Sequence, residues 1–421
     1  MSAKFLSRGL VQAHPVSKDK VIKVTSYLVP PRWLFCRVET AEGLVGWGEG
    51  TLEGRSATVA AELSALERFV VGNDPANIAW ITRQIATALF YHTDGVIRSA
   101  LAAIDTALWD IQGKRHGAPI HALLGGKVND RIRCYRWFGG NVPLPKDSYK
   151  DQGDSAVSML EKLLEDRDPD ELSYFKMNAC PGMGPADTED AIGHAEAVLR
   201  ALFERFEHEK VRIGIDCHGR LKPPSARRFL KMAEQFVPLL WFVEEPLRVE
   251  EIDGMAELRQ TTSLMLATGE RFYLPSDFAR LCSRRCVDLL QPDLGHCGGI
   301  SAGRQIADLA EIYQVGFAPH CPNGPILFAA SLQLQAYTPA YSIQETSVGI
   351  HYNLGRDGTW YLRTPAVLTP DKAGFLAVPT GPGLGIDVDE DRVREGAAEG
   401  ITWNEASCYL YRSDGGCPID W

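Results

Sequence analysis

The chain has 421 residues, of which 45% are hydrophobic and 23% charged, and a formal net charge of −10. That length predicts two or three domains, or one barrel with additions, and the composition is that of a globular protein with a large core. The acidic balance and the lack of a basic run argue against a nucleic-acid partner, and no stretch approaches the roughly 18 unbroken apolar residues of a membrane span.

Residues 1–20 lack a long apolar centre and read as an N-terminal extension rather than a secretory signal. From 21 to 50 the pattern is that of antiparallel strands. VIKVTSYLV alternates, and WLFCRVET and LVGWGEG flank a turn at Ala41-Glu42-Gly43. Residues 56–125 place apolar side chains at i, i+3 and i+4, so they read as helices, the one over 95–116 closed by Gly117. Strands followed by helices predict an α+β capping domain over 21–127.

From about residue 130 the periodicity switches to strand–helix alternation. RIRCYRW, SYFKMN, VRIGID, LLWFVEE, LMLATGE, VDLLQPD, VGFAPH and YSIQE are eight candidate strands. Together they predict a (β/α)7β barrel over 128–349, with no clear helix after the last strand. The charged segment 141–172 reads as helix and loop. Residues 350–421, rich in Gly, Pro and Trp, are expected to pack back onto the capping domain and complete it. Ten cysteines without a CxxC pair read as free buried thiols, and so the protein as cytoplasmic.

A polar group ends one candidate strand after another: Asp216, Glu244, Glu270, Asp293, His320 and Glu345. In a parallel barrel these ends gather at one face, where active sites sit. Three converging carboxylates without clustered His or Cys favour a hard divalent cation, Mg2+, held by Asp216, Glu244 and Glu270. Asp216 alone could equally cap a helix. Residues i and i+2 of a strand face one side, so His218 should point inward with Asp216, and Lys176 with Asn178. Glu244 is assigned inward and Glu245 to a helix start or a salt bridge. His320 beside Asp293 reads as a general base oriented by a carboxylate, and His218 as a general acid. Glu345 reads either as a stabiliser of a developing enolate or as a rim ion pair. Arg32 is either a surface residue or a contact for the distal end of a substrate.

These residues resemble the enolase superfamily, in its mandelate racemase-like branch. The likeness runs through PPRW (30–33), GWGE (46–49), IDTALWDIQGK (104–114), FKMN, DCHGR, EEP, GER, QPD, GHCGGI, APHCPNGP and QETSVGIHYN (344–353), nearly the whole chain. Within the branch it is nearest to the D-galactonate dehydratases. The resemblance implies Mg2+ on Asp216, Glu244 and Glu270, with a small sugar acid bound through its carboxylate. It makes His320 the base for the C2 proton, tuned by Asp293, His218 the acid that protonates the departing 3-hydroxyl, and Glu345 a stabiliser of the intermediate. Lys176 and Asn178 are expected at the substrate. Homo-oligomers are common in the branch. Its racemases usually carry Lys-x-Lys on the second strand. Here the second position is Asn178, which favours elimination over two-base racemisation. A racemase or epimerase of the same superfamily, and a non-catalytic barrel, are the rival readings.

Overall fold

The computed structural model describes residues 15–138, 149–179, 189–347, 353, 358–402, 411–412 and 418–419. The expectations for residues 1–14 and 141–148, and for most of the GIHYN motif, lie outside them.

Strands β1 (Val21–Val29), β2 (Trp33–Thr40) and β3 (Val45–Glu49) form an antiparallel meander. The β2–β3 turn is closed by Gly43 at φ 84°, where Gly43 N–H donates to Thr40 O. Helices α1 (Ser56–Val70), α2 (Ile78–Ala88) and α3 (Gly95–His116) cover one face. Asp94 caps α3 by accepting from Val96 N and Ile97 N, and Gly117 at φ 61° ends it. Helix α3 lies very close on β3. A Cβ at Gly48 would sit 1.9 Å from Ala103 O and one at Gly46 2.0 Å from Ala107 O, so only glycine permits this approach.

The short helix α4 (Ile120–Leu124) leads into the barrel. Its elements are β4 (Arg131–Trp137), α5 (Tyr149–Leu164), β5 (Ser173–Met177), α6 (Glu189–Phe206), β6 (Val211–Asp216), α7 (Pro223–Ala233), β7 (Leu240–Glu244) and α8 (Ile252–Arg259). They continue with β8 (Met265–Thr268), α9 (Pro275–Ser283), β9 (Leu289–Leu290), α10 (Leu294–Cys297), α11 (Gly299–Tyr313), β10 (Gly316–Phe317), α12 (Pro325–Tyr337) and β11 (Gln344–Thr346). The parallel order is β10-β9-β8-β7-β6-β5-β4-β11. A parallel bridge between Phe317 and Tyr341 closes the ring, with Phe317 N–H donating to Ala340 O and Ser342 N–H to Phe317 O. Closure removes the sheet edges.

Side chains of odd parity, such as Phe175, Ile213, Ile215 and Val243, pack outward against the helices. Phe242 fills the interior with Ala267 and Leu289. Gly214 makes room for it, since a Cβ there would lie 2.3 Å from the Phe242 ring. The barrel is therefore packed below and open for chemistry only at its rim.

After the barrel, β12 (Phe375–Ala377) pairs antiparallel with β4, so the C-terminal segment also extends the barrel sheet. It meets the meander as well. Tyr361 Oη donates to Pro30 O (2.6 Å), and Arg37 on β2 pairs with Glu390 on α13 (Glu390–Glu399) at 3.1 Å. All seven described cysteines that are free are buried. Among the described residues no helix is long and apolar enough to cross a membrane.

Candidate active site

Strands β6 and β7 deliver Asp216 and Glu244 side by side, as register partners at their last residues. Glu270 follows β8 by two residues. One oxygen from each of the three carboxylates lies within 4.8 Å of the others. Asp216 and Glu244 are buried, and Glu270 faces the rim.

The backbone turns sharply just past two of these residues. Regular strand stops at Asp216, and His218 takes the left-handed conformation at φ 48°. Period-two parity therefore does not place His218. The turn does, with His218 N–H donating to Asp216 Oδ1 (3.1 Å). His218 Nε2 lies 3.2 Å from Asp216 Oδ2, and its ring stacks on Trp137 at the end of β4, 6.0 Å between centroids and 6° between planes. Glu245 likewise turns to φ 41°. Its carboxylate leaves the barrel axis and pairs with Arg271 at 2.7 Å, which settles the choice between helix start and salt bridge. Burial raises its carboxyl to about 7.

On the opposite side the ladder ends early. β9 and β10 are two residues each, so Asp293 and His320 stand three residues past their strands rather than at the ends of long ones. Asp293 serves as N-cap of α10, its Oδ1 accepting from Gly295 N (2.6 Å). Its Oδ2 accepts from His320 Nδ1 (2.8 Å) and Asn323 Nδ2 (2.9 Å). Because Nδ1 gives its hydrogen to Asp293, Nε2 is the ring nitrogen turned toward the triad, 3.0 Å from Glu270 Oε2. Burial works against the charged imidazole, but Glu270, Glu345 and Asp293 together hold its pKa well above the usual histidine range. Glu345 on β11 accepts from Cys321 N (3.0 Å).

Lys176 was expected at the substrate. Instead its ammonium is buried beneath the triad, 3.1 Å from Asp216, 3.0 Å from Glu244 and 3.0 Å from Glu345. Its parity is inward as expected, and its hydrogen bonds go to both oxygens of Glu244 (3.1 and 3.0 Å), with Asp216 and Glu345 as further ion-pair neighbours. Arg32 is not a surface residue. It is 1% exposed, pairs with Glu53 and donates to Pro322 O (2.8 Å), so it ties the capping loop to the segment that carries His320. Asn178 is buried just past β5.

Several partners escaped the sequence reading. Gln291 donates to Glu244 Oε2 (2.7 Å). It stands one residue past β9, inside the run LLQPD that ends at Asp293. Glu49 of the GWGE motif accepts from Gly324 N (2.7 Å) and Leu327 N (3.1 Å) across the domain boundary. Trp137 and His296 carried no local signal for contacts of this kind.

The donor set fits a divalent cation. Asp216, Glu244 and Glu345 converge on the single Lys176 ammonium, and Glu270 brings a further carboxylate oxygen within 4.8 Å of those of Asp216 and Glu244. Burial and the neighbouring Asp216 charge drive the Glu244 carboxyl upward. All three candidate ligands are carboxylate oxygens, suited to a hard ion.

Residues 21–125 match the family model for the mandelate racemase / muconate lactonizing enzyme N-terminal domain, and residues 159–392 the enolase C-terminal domain-like model. A D-galactonate dehydratase of Ralstonia pickettii (strain 12J) is 39% identical over 402 residues, 96% of this chain and 100% of the relative. One from Variovorax paradoxus (strain S110) is 38% identical with the same coverage. Among solved structures, a mandelate racemase/muconate lactonizing enzyme from Jannaschia sp. CCS1 is similar at TM-score 0.78 and 27% identity, covering 91% of this chain and 98% of the other. Another from Sulfitobacter sp. shares the fold at TM-score 0.81 and 23% identity, covering 96% and 100%. The chain belongs to the enolase superfamily, in its mandelate racemase / muconate lactonizing enzyme branch.

Proposed function

We propose that the protein is a carbon–oxygen lyase, a D-galactonate dehydratase that uses Mg2+. One observation carries the reading: the carboxylate triad stands between a carboxylate-oriented His320 and a separately held His218. Relatives 37–39% identical over 96% of the chain, described as D-galactonate dehydratases, support the substrate.

Asp216, Glu244 and Glu270 would hold the cation, which supplies Lewis-acid stabilisation for charge developing on a substrate carboxylate. His320 Nε2 takes the C2 proton, while Asp293 holds the ring by its Nδ1–H and stabilises the imidazolium. The electron pair moves into the substrate carboxylate as an enediolate. Glu345, held by Lys176 and Cys321 N, lies 4.0 Å from His320 Nε2, where as the neutral acid it donates a hydrogen bond to this intermediate. His218 protonates the 3-hydroxyl, which leaves as water. The enol then ketonises to a 2-keto-3-deoxy sugar acid. Asn178 in place of a second lysine base favours this elimination over racemisation.

The reading includes a division into a capping domain (21–127, completed by 350–421) and a barrel (128–349), a cytoplasmic location and a homo-oligomer. Family-model matches over 21–125 and 159–392 support the division, and buried free thiols the location. Purified protein with Mg2+ should convert D-galactonate, within a panel of aldonic acids, to a 2-keto acid. Recovered substrate carrying deuterium at C2 after incubation in D2O, with no keto acid formed, would overturn dehydration.

A further inference from the structure

A second histidine reaches the carboxylate that orients His320. His296 Nε2 lies 3.5 Å from Asp293 Oδ2, the oxygen that also accepts from His320 Nδ1. On its other side His296 Nδ1 meets Ser99 Oγ at 3.0 Å. Ser99 belongs to α3 of the capping domain and is fully buried, and His296 is 8% exposed.

The tautomer follows from the partners. A carboxylate offers no hydrogen, so Nε2 of His296 carries the N–H that faces Asp293. In that tautomer Nδ1 has a lone pair, which accepts from the Ser99 hydroxyl. Ser99 thereby fixes both the rotation and the tautomer of His296. The neighbouring contacts hold α10 and α11 against α3. Arg98 donates to Cys297 O, and Asp105 Oδ2 accepts from Ser301 N (3.0 Å). Gly299 is required here, because a Cβ would sit 2.5 Å from Asp105 Oδ2.

We infer that His296 is a positioning residue for the base, in a chain Ser99–His296–Asp293–His320 through which the capping domain sets the barrel histidine. Resting on the dehydratase reading, the inference assigns His296 no contact with substrate. Its Nε2 stands 3.5 Å from Asp293 Oδ2, the oxygen that His320 also uses, so its charge and hydrogen favour the carboxylate in that position. Asn323 holds the same oxygen from within the barrel loop.

The test uses the full-length protein with Mg2+ and both D-galactonate and its C2-deuterated form. His296→Asn should lower kcat about tenfold with KM nearly unchanged, because the cost falls on alignment of the base rather than on binding. Its deuterium isotope effect should rise as proton abstraction becomes slower. Ser99→Ala should show the same pattern more weakly, and Ser99→Thr, which keeps the hydroxyl, should restore it. A second readout needs no turnover. In 15N-histidine-labelled protein the downfield His320 Nδ1 proton, identified by its loss in His320→Asn, should shift in His296→Asn and in His296→Gln. An unmoved resonance with unchanged kcat would overturn the inference. If the wild-type protein turned over no aldonic acid, the dehydratase reading would fail, while the resonance would still decide the positioning role.

Discussion

The two histidines that flank the triad are held by different means. His320 is fixed by a short hydrogen bond to a buried carboxylate, which is itself capped by backbone and side-chain donors. His218 has a left-handed backbone, a contact to the triad's own Asp216 and a stacked indole. The first arrangement fixes a tautomer and stabilises positive charge, which suits a group that receives a proton. The second fixes a ring plane next to the cation site, which suits a group that delivers one. A hydrogen-bonded carboxylate selects protonation state, whereas stacking selects orientation.

The sharpest break in this comparison comes from removing each ring in turn. His320→Asn should abolish both C2 deuterium exchange and keto-acid formation, by about 10^3-fold or more, since proton transfer by a positioned group contributes about 10^2 to 10^4. His218→Asn should keep C2 exchange while keto-acid formation falls by about 10^2-fold or more. Retained exchange in His320→Asn with lost exchange in His218→Asn would reverse the roles. NMR of recovered substrate in D2O alongside a keto-acid assay reads both outcomes.

A smaller effect is expected at Trp137. An aromatic contact is worth about 0.5–1.5 kcal/mol, so Trp137→Leu should slow dehydration by about 3- to 10-fold while leaving C2 exchange near wild type. Equal loss of both activities would show that the indole supports the whole rim rather than His218.

The remaining effect concerns stability rather than turnover, and it tests how the capping domain grips the His320 loop. Glu49 is fully buried, and burial raises its carboxyl from 4.5 to about 7 even though Thr51, Leu327 and Gly324 donate to it. Between these values the folded protein keeps a proton that the unfolded chain has released. The fold therefore loses stability as pH rises from about 4.5 to about 7, by on the order of 3 kcal/mol, and the loss levels off above that. Glu49→Gln has no such titration. Melting temperatures at pH 5 and pH 8 should fall more for the wild type than for the variant. Parallel shifts would mean that the three donors keep Glu49 ionised throughout.

The amino-acid sequence determined the barrel, its eight strands in order, and the six polar groups at or just past their ends. Those signals are local: period-two and period-3.6 patterns, and a carboxylate or histidine where each apolar run stops. The same locality limited the site. Parity put Lys176 inside correctly, but could not show that three carboxylates from β6, β7 and β11 would claim its ammonium. It placed His218 inward for a reason that the φ of 48° sets aside. Arg32, Glu49 and Ser99 acquired their roles only when the capping domain met loops some 200 to 300 residues further along the chain. Hydrogen bonds between such distant groups leave no periodic trace, because each depends on the geometry of two domains at once. Tertiary packing alone decided which neighbours hold each histidine.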